Sequence, residues 1–134
     1  MTSKEVVKRF YASDIAKDDN VMEFFHKDCT LKWNTSKGFR KLDYNGIKGM
    51  IKDIQKTYHS FRYRLSHLLE DGNTITARYT IYGTVIERPE KEDAIAHFIS
   101  IWEVTDGKLF KGFEISQLAD NSSDSLNSFA EIKV

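Results

Sequence analysis

Apolar residues in the first part of the chain follow two different periods. They recur at intervals of three and four in residues 6–11, 21–25 and 47–58, a spacing typical of one helix face. In residues 29–33 they alternate with polar residues, which predicts a strand. Residues 35–45 hold few apolar side chains and are predicted to form a loop. This part therefore predicts two helices, a strand and a third helix.

After the third helix the period changes to alternation, which predicts four successive strands joined by short turns. A three-residue loop at residues 71–73 sets Leu65 opposite Tyr79 and keeps the apolar residues on one face. Strands linked by hairpins form an antiparallel sheet. The order α-α-β-α-β-β-β-β therefore indicates an α+β fold, with a curved sheet whose one face is covered by helices.

Residues 1–120 are expected to form one domain, followed by a C-terminal tail at residues 121–134. The tail is rich in serine and asparagine, a composition typical of disordered segments. It also contains three apolar residues that could fold back over the sheet: Leu126, Phe129 and Ile132.

The charges of the chain are balanced, because 20 basic residues accompany 20 acidic ones. No net field attracts nucleic acid or an anionic membrane surface. No apolar run is long enough to span a bilayer, and the charged first residues do not resemble an export signal. The single cysteine, Cys29, cannot form an internal disulfide. The sequence thus predicts a cytoplasmic protein with no nucleic-acid or membrane partner.

Three stretches of the chain resemble a known superfamily. They are paired helices leading into a strand, VVKRFYASDIAKDDNVMEFFHKDCTLKW, a glycine-led helix, YNGIKGMIKDIQKTYHSF, and a closing hairpin, IWEVTDGKLFKGFEI. Over about residues 4–120 the chain resembles the nuclear transport factor 2-like superfamily, in its SnoaL-like polyketide cyclase and ketosteroid isomerase branch. The resemblance implies a cystatin-like, cone-shaped fold, in which the curved sheet wraps around helices and leaves a pocket at its open end.

The resemblance transfers only some of the functional residues of that branch. The isomerases have a tyrosine on the first helix as an oxyanion donor, and Tyr11 lies near that place; the alternative is a tyrosine that only packs in the core. Their carboxylate base lies on the first strand, where Trp33 and Asn34 stand here, and neither accepts a proton from carbon. Many SnoaL-like members carry histidine, an aromatic residue and aspartate in a row on the last strand. Here that row reads Gly112-Phe113-Glu114, so the histidine is missing.

His97 is a candidate to replace the missing histidine. A two-residue turn at Asp106-Gly107 sets Ile99 opposite Glu114, which places His97 diagonally beside Glu114 on one face. A carboxylate raises the basicity of an adjacent imidazole, so the pair predicts a general base; the alternative is a structural hydrogen-bonded pair. Further ring residues are expected to line the pocket: Tyr11, Trp33, Tyr63, His67 and Tyr79.

No metal or cofactor is expected, because the four histidines and one cysteine lack metal-ligand spacing and no glycine-rich phosphate loop occurs. The sequence favours a SnoaL-like protein that binds a small apolar ligand. Acid–base catalysis on a hydrophobic carbonyl compound, of the isomerase, cyclase or dehydratase type, is one outcome. The alternative is a non-catalytic ligand-binding or dimerisation module on the same scaffold, and the sequence does not decide between them.

In residues 97–104 the side chains are mostly apolar on both faces of the predicted strand. A strand with one face in water would instead alternate apolar and polar residues. On the predicted register, Phe98 and Trp102 lie on the outer face with Phe113 and Ile115. Such an apolar patch favours a homodimer joined through the sheet, with the tail as the competing cover.

Overall fold

The computed structural model describes residues 1–120, 122–130 and 132–134. Within these ranges the helices are α1 (Ser3–Ala12), α2 (Tyr44–Thr57) and α3 (Ser123–Ser128), with a 3₁₀ turn at Val21–Phe24. The strands are β1 (Phe25–Thr35), β2 (Gly38–Asp43), β3 (Tyr58–Asp71), β4 (Thr74–Val85), β5 (Asp93–Thr105) and β6 (Lys108–Leu118).

The strands form one curved sheet in the order β2-β1-β6-β5-β4-β3. Neighbouring strands are antiparallel except β1 and β6, which run parallel. Helices α1 and α2 pack on one side, which we name the inner face, and their buried apolar residues join those of the strands in one core. The opposite side is the outer face. This arrangement confirms the predicted α+β cone.

Thr2 forms the N-terminal cap of α1. Thr2 Oγ1 accepts a hydrogen bond from the backbone N–H of Glu5 at 3.1 Å. Asp43 caps α2 in the same way, because its Oδ1 accepts from the Gly46 N–H at 2.8 Å. Helix α1 then buries the apolar stripe that the sequence indicated: Val6, Val7, Phe10 and Tyr11.

The loop predicted for residues 35–45 is wrong, because most of it forms β2. This strand pairs with β1 from Thr30–Asp43 to Thr35–Gly38. It lies at the edge of the sheet, and most of its side chains are exposed. An exposed edge strand lacks the apolar alternation by which a half-buried strand is recognised, so the sequence pattern did not indicate it.

The turn between β3 and β4 has two residues, Gly72 and Asn73, rather than the predicted three. The difference is taken up within β3, where a bulge at Ser66 shifts the pairing by one residue. Leu65 therefore pairs with Tyr79 as predicted, while the residues between the bulge and the turn occupy the opposite face from the one expected.

The two-residue turn at Asp106-Gly107 between β5 and β6 is confirmed. Both residues have positive φ, 54° and 70°, as hairpin turns of this length require. Beyond the turn, Phe110 is an extra residue in β6, because the pairing with β5 skips from Leu109 to Lys111. This bulge shifts the register of the rest of the hairpin by one residue.

The Phe110 bulge reverses the faces predicted for β5. Ser100, not Ile99, pairs with Glu114. A shift of one residue moves every side chain to the opposite face of a strand. Phe98 and Trp102, which were predicted to lie on the outer face, are therefore buried in the core.

The C-terminal tail packs on the outer face, although its composition is typical of a disordered segment. The ring of Phe129 stacks on the ring of His97, with centroids 4.2 Å apart. The guanidinium group of Arg78 lies 3.6 Å from the centroid of the same ring, and its Nη1 donates to the Ser128 carbonyl at 3.3 Å. Phe129 is thus held between side chains of β4 and β5.

We expect the docking of α3 to weaken as the pH falls below about 6.5. Burial lowers the pKa of His97 below its ordinary value of 6.5; Asp120 opposes this shift, and Arg78 adds to it. The packed tail therefore favours neutral His97, so the stabilisation is complete above the ordinary pKa and is lost at lower pH. Hydrogen exchange at the α3 amides should be less protected at about pH 5 than at about pH 8.

His97→Gln is the control for this pH dependence, because glutamine keeps a polar side chain but does not titrate. In this variant the protection of the α3 amides should no longer change between the two pH values. Phe129→Ala removes the stacked ring and should lower protection at both. An equal loss of protection at low pH in wild type and His97→Gln would assign the effect to another group.

Candidate functional site

A chain of hydrogen bonds crosses the inner face from α1 to β6. The hydroxyl oxygens of Tyr79 and Ser100 lie 2.7 Å apart, and the Ser100 hydroxyl donates to Glu114 Oε1 at 3.1 Å. At the other end, Trp102 Nε1 donates to the Tyr11 hydroxyl at 3.1 Å, and that hydroxyl lies 3.5 Å from the hydroxyl of Tyr79. We name these five residues the carboxyl cluster.

The acidic member of the cluster has an unusual proton affinity. Burial raises the pKa of Glu114 from 4.5 to about 7, and hydrogen bonds from Ser100 and Tyr79 oppose the shift because they stabilise the carboxylate. Both protonation states of Glu114 are therefore populated near neutral pH. A group that can both accept and release a proton at the working pH is suited to general acid–base catalysis.

The tyrosines near Glu114 stay protonated at neutral pH. Burial raises the pKa of Tyr11, Tyr63 and Tyr79 above the ordinary value of 10, and the nearby Glu114 carboxylate adds to the shift in each case. A second negative charge in this buried region would be unfavourable. Their hydroxyl groups therefore keep the proton that a hydrogen-bond donor needs.

A mostly apolar cavity of about 90 Å³ borders the carboxyl cluster. Glu114 is the one charged residue in the lining that the structure describes, and Tyr63 and Tyr79 add hydroxyl groups. The apolar lining comes from α1, α2 and the strands, and includes Phe10, Leu31, Ile47, Ile51, Phe61 and Phe98.

A wider cavity of about 350 Å³, open to solvent, adjoins the first one. We name it the mouth. The two cavities share four lining residues: Trp33, Phe61, Ile81 and Phe98. The mouth therefore lies directly next to the cavity that Glu114 borders.

Trp102 reaches the cluster because the residue opposite it in β6 is a glycine. Gly112 pairs with Trp102, and a Cβ atom at that position would lie 2.5 Å from the indole ring. It would also lie 2.9 Å from the side chain of Leu31. Any larger residue would therefore displace the indole that donates to Tyr11.

The structure brings several of the predicted pocket residues together. Trp33, Tyr63, Tyr79 and Glu114 line the inner cavity. Tyr11 is buried one layer behind it and contacts the cavity wall through Tyr79. Tyr11 is therefore not in the cavity lining, contrary to the prediction, because its ring packs in the core and its hydroxyl bonds to Tyr79 and Trp102. Its role as an oxyanion donor stays a prediction.

The predicted pair of His97 and Glu114 is wrong, because the two side chains lie on opposite faces of the sheet. Glu114 borders the inner cavity. His97 lies on the outer face, where its ring stacks on Phe129 and its Nδ1 is 2.8 Å from Thr80 Oγ1. The physical reason is the extra residue Phe110, which shifts the register by one position.

His67 is also on the outer face rather than in the pocket. It pairs with Arg78, and its Nδ1 lies 3.0 Å from Ser66 Oγ. The bulge at Ser66 is the cause, because Leu68 takes the buried position that the alternation assigned to His67.

Ser100 and Trp102 are members of the site that the sequence analysis missed. The predicted register placed these two side chains, with the others on the same face of β5, on the outer face. One signal was present, because Ser100 interrupts an apolar phase between Phe98 and Trp102. A small hydroxyl residue in a buried apolar row has to find a polar partner, and that partner is Glu114.

Among residues 1–120, 122–130 and 132–134, no group of three or more His, Cys, Asp or Glu side chains is placed to hold a metal ion. None of the helices that the structure describes is both long and apolar enough to cross a membrane.

Comparison with known proteins identifies the family. A family model described as a SnoaL-like domain matches residues 7–111. No curated protein matches the chain. A phenazine biosynthesis-related protein (phzb2) from Pseudomonas aeruginosa is 15% identical, with a TM-score of 0.66, and the match covers 98% of this chain and 82% of that one.

Two further solved structures share the fold. A proposed SnoaL-like polyketide cyclase from Shewanella denitrificans OS-217 is 8% identical, with a TM-score of 0.66 and 96% of each chain covered. IdmH, a proposed polyketide cyclase from Streptomyces antibioticus, is 13% identical, with a TM-score of 0.65, covering 98% of this chain and 100% of that one. At these identities the likeness shows a common fold alone.

We expect Glu114 to lower the stability of the protein as the pH rises from 4.5 to about 7. The unfolded carboxyl ionises at the lower value and the folded one at the higher, so the stabilisation present at acid pH is lost across this window. Glu114→Gln should therefore be more stable than wild type above neutral pH, by up to about 3 kcal/mol. Urea unfolding at a series of pH values measures the difference.

The comparison is best made in a His97→Gln background, because the lowered pKa of His97 acts on stability with the opposite sign. Ser100→Ala provides a second check. It removes a donor to the carboxylate and should raise the pKa of Glu114 further, as observed by NMR of a ¹³C-labelled carboxyl. A wild-type Glu114 that titrates at its ordinary pKa would contradict the effect of burial.

Proposed function

The chain belongs to the SnoaL-like family, and on this premise we propose that its inner cavity binds a small apolar carbonyl compound on which Glu114 performs acid–base chemistry. The observation that carries the proposal is a carboxyl group with a pKa of about 7 in the wall of an apolar cavity. The chemistry needs no cofactor. The cytoplasmic location expected from the sequence stays a prediction.

In the proposed reaction, ionised Glu114 takes a proton from the carbon next to the carbonyl group. Negative charge then moves onto the carbonyl oxygen, where the neutral hydroxyl of Tyr79 stabilises it. Tyr79 lies 3.5 Å from Glu114 Oε1, so one ligand can contact both. Return of the proton from Glu114 to another carbon completes an isomerisation. In a cyclisation the enolate carbon instead attacks an electrophilic carbon of the same ligand, whose oxygen takes the proton from Glu114. In a dehydration a hydroxyl group leaves the adjacent carbon as water, with that same proton.

The size of the two cavities indicates how the ligand would lie. Pockets for ligands of drug size have volumes of about 300 Å³ or more. The inner cavity has about 90 Å³, whereas the mouth has about 350 Å³. A ligand would therefore place its reactive end beside Glu114 and the rest of its body in the mouth.

A second candidate function is ligand binding or dimerisation without catalysis. The hydrogen bonds inside the carboxyl cluster favour it, because Ser100 already partners both Tyr79 and Glu114. A fold shared with enzymes does not decide between these functions. In the catalytic function Glu114 affects both ligand binding and proton transfer. In the non-catalytic function it affects only ligand binding.

Proton transfer can be tested with simple cyclic and aryl ketones in deuterated buffer. Wild-type protein should accelerate exchange of the hydrogens next to the carbonyl, as followed by NMR. Glu114→Gln should lower this rate by about 10²- to 10⁴-fold, because general base catalysis contributes that much. Its affinity for the ketone should change little, since glutamine has nearly the same shape.

His97→Gln is the matched control, because His97 lies on the outer face and its substitution should leave the exchange rate unchanged. Equal exchange with wild type and Glu114→Gln would contradict catalysis by Glu114. Ketone binding without any accelerated exchange would favour the non-catalytic function.

We propose in addition that two copies associate through the outer face of β5 and β6. Four adjacent apolar side chains are exposed there: Ile99 at 44%, Ile101 at 37%, Phe113 at 40% and Ile115 at 61%. Ile99 pairs with Ile115 and Ile101 with Phe113, so the four form one continuous patch. The tail leaves them exposed, and a twofold contact between identical sheets would cover them.

Ile115→Lys should prevent this association, because a buried lysine without a partner charge is unfavourable at a sheet interface. Sedimentation velocity at micromolar concentration should give a dimer for wild type and a monomer for the variant. Ile86→Lys is the control, since Ile86 is exposed in the connection after β4, outside the patch. A monomeric wild-type protein would contradict the proposed dimer.

A further inference from the structure

The mouth carries positive charge without negative charge. Lys37 and Arg40 line it, and none of the lining residues that the structure describes is acidic. Both side chains are exposed. The ion pairs found among the described residues join other side chains, so neither cation is neutralised by a neighbour.

The two cations lie at the rim on neighbouring parts of the β1–β2 hairpin. Lys37 lies in the two-residue turn between β1 and β2, where its N–H donates to Thr35 Oγ1 at 3.0 Å. The guanidinium group of Arg40 lies 5.3 Å from the centroid of the Trp33 ring, a distance typical of a cation–π contact. This contact places the Arg40 guanidinium group beside Trp33, which lines both cavities.

The strand register places one of these cations in line with the carboxyl cluster. Trp33 pairs with Arg40 on one side and with Glu114 on the other. The three residues thus form one row across β2, β1 and β6, and their side chains share the inner face. Neighbouring strands lie about 4.8 Å apart, so the backbones of Arg40 and Glu114 are separated by roughly 10 Å.

We propose that the ligand is an amphipathic carboxylate. Its anionic end binds Arg40 and Lys37 at the mouth, its apolar body lies along Trp33, and its carbonyl end reaches Glu114. A guanidinium group binds a carboxylate through paired hydrogen bonds, which favours this anion over a neutral polar group. This assignment rests on the proposed function, for which it specifies the class of substrate.

A matched pair of probes tests the charge of the ligand directly. The first is 4-acetylbenzoate, in which an aromatic ring separates a methyl ketone from a carboxylate, and the second is its neutral methyl ester. Calorimetry at about pH 6 keeps most of Glu114 protonated, since its pKa is about 7, so repulsion between the two carboxylates is small. The acid should bind about five- to tenfold more tightly than the ester, because the contacts are charged but partly exposed.

Substitutions at the rim should remove this preference selectively. Arg40→Gln with Lys37→Gln should bring the affinity of the acid down to that of the ester, while leaving the ester unchanged. Lys41→Gln is the control, because it removes one positive charge from the position of β2 next to Arg40, which faces the opposite side. The preference should also decline at high salt, which screens exposed charges.

The outcomes distinguish this inference from the function on which it rests. Equal binding of acid and ester by wild type would overturn the anionic ligand while leaving the ketone chemistry of Glu114 intact. A preference that survives in the double variant would also overturn it, since the rim cations would then not be its source. Binding of neither probe would overturn both.

Discussion

One extra residue in β6 determines which side chains meet inside this protein. The bulge at Phe110 shifts the pairing of the last hairpin by one position. Because side chains alternate across a strand, that shift turns Ser100 and Trp102 inward and His97 outward. The hydrogen bonds of the carboxyl cluster and the stacking of Phe129 of the tail on His97 both depend on this register.

The features that follow from local pattern were predictable from the sequence. Apolar periodicity indicated α1, α2, the core strands and the turn at Asp106-Gly107, because each depends on residues close in the chain. The resemblance to a known superfamily predicted the cone-shaped fold and indicated Glu114 as a candidate functional residue. The edge strand β2 was not predictable in this way, because its pairing is held by backbone groups and leaves no apolar signature.

The site was only partly predictable, since it depends on two bulges that local pattern does not reveal. A bulge changes no composition and alters only the register with which one strand pairs with the next. His97 and His67 were therefore assigned to the wrong face, and Ser100 was missed. Glu114 was predicted to line the pocket, and it does border the cavity, but the partner expected for it was wrong, since Ser100 and Tyr79 occupy that place.

The parallel pairing of β1 with β6 has a consequence for how the chain folds. It joins Thr30 to Lys111, and thus connects segments that leave the ribosome far apart in time. Contacts between distant segments form late, because a long loop has to close first. The hairpins of β3 to β6 can form earlier from neighbouring segments. Glu114 would then remain hydrated until β1 docks beside it, so the rise of its pKa should accompany the last step of folding.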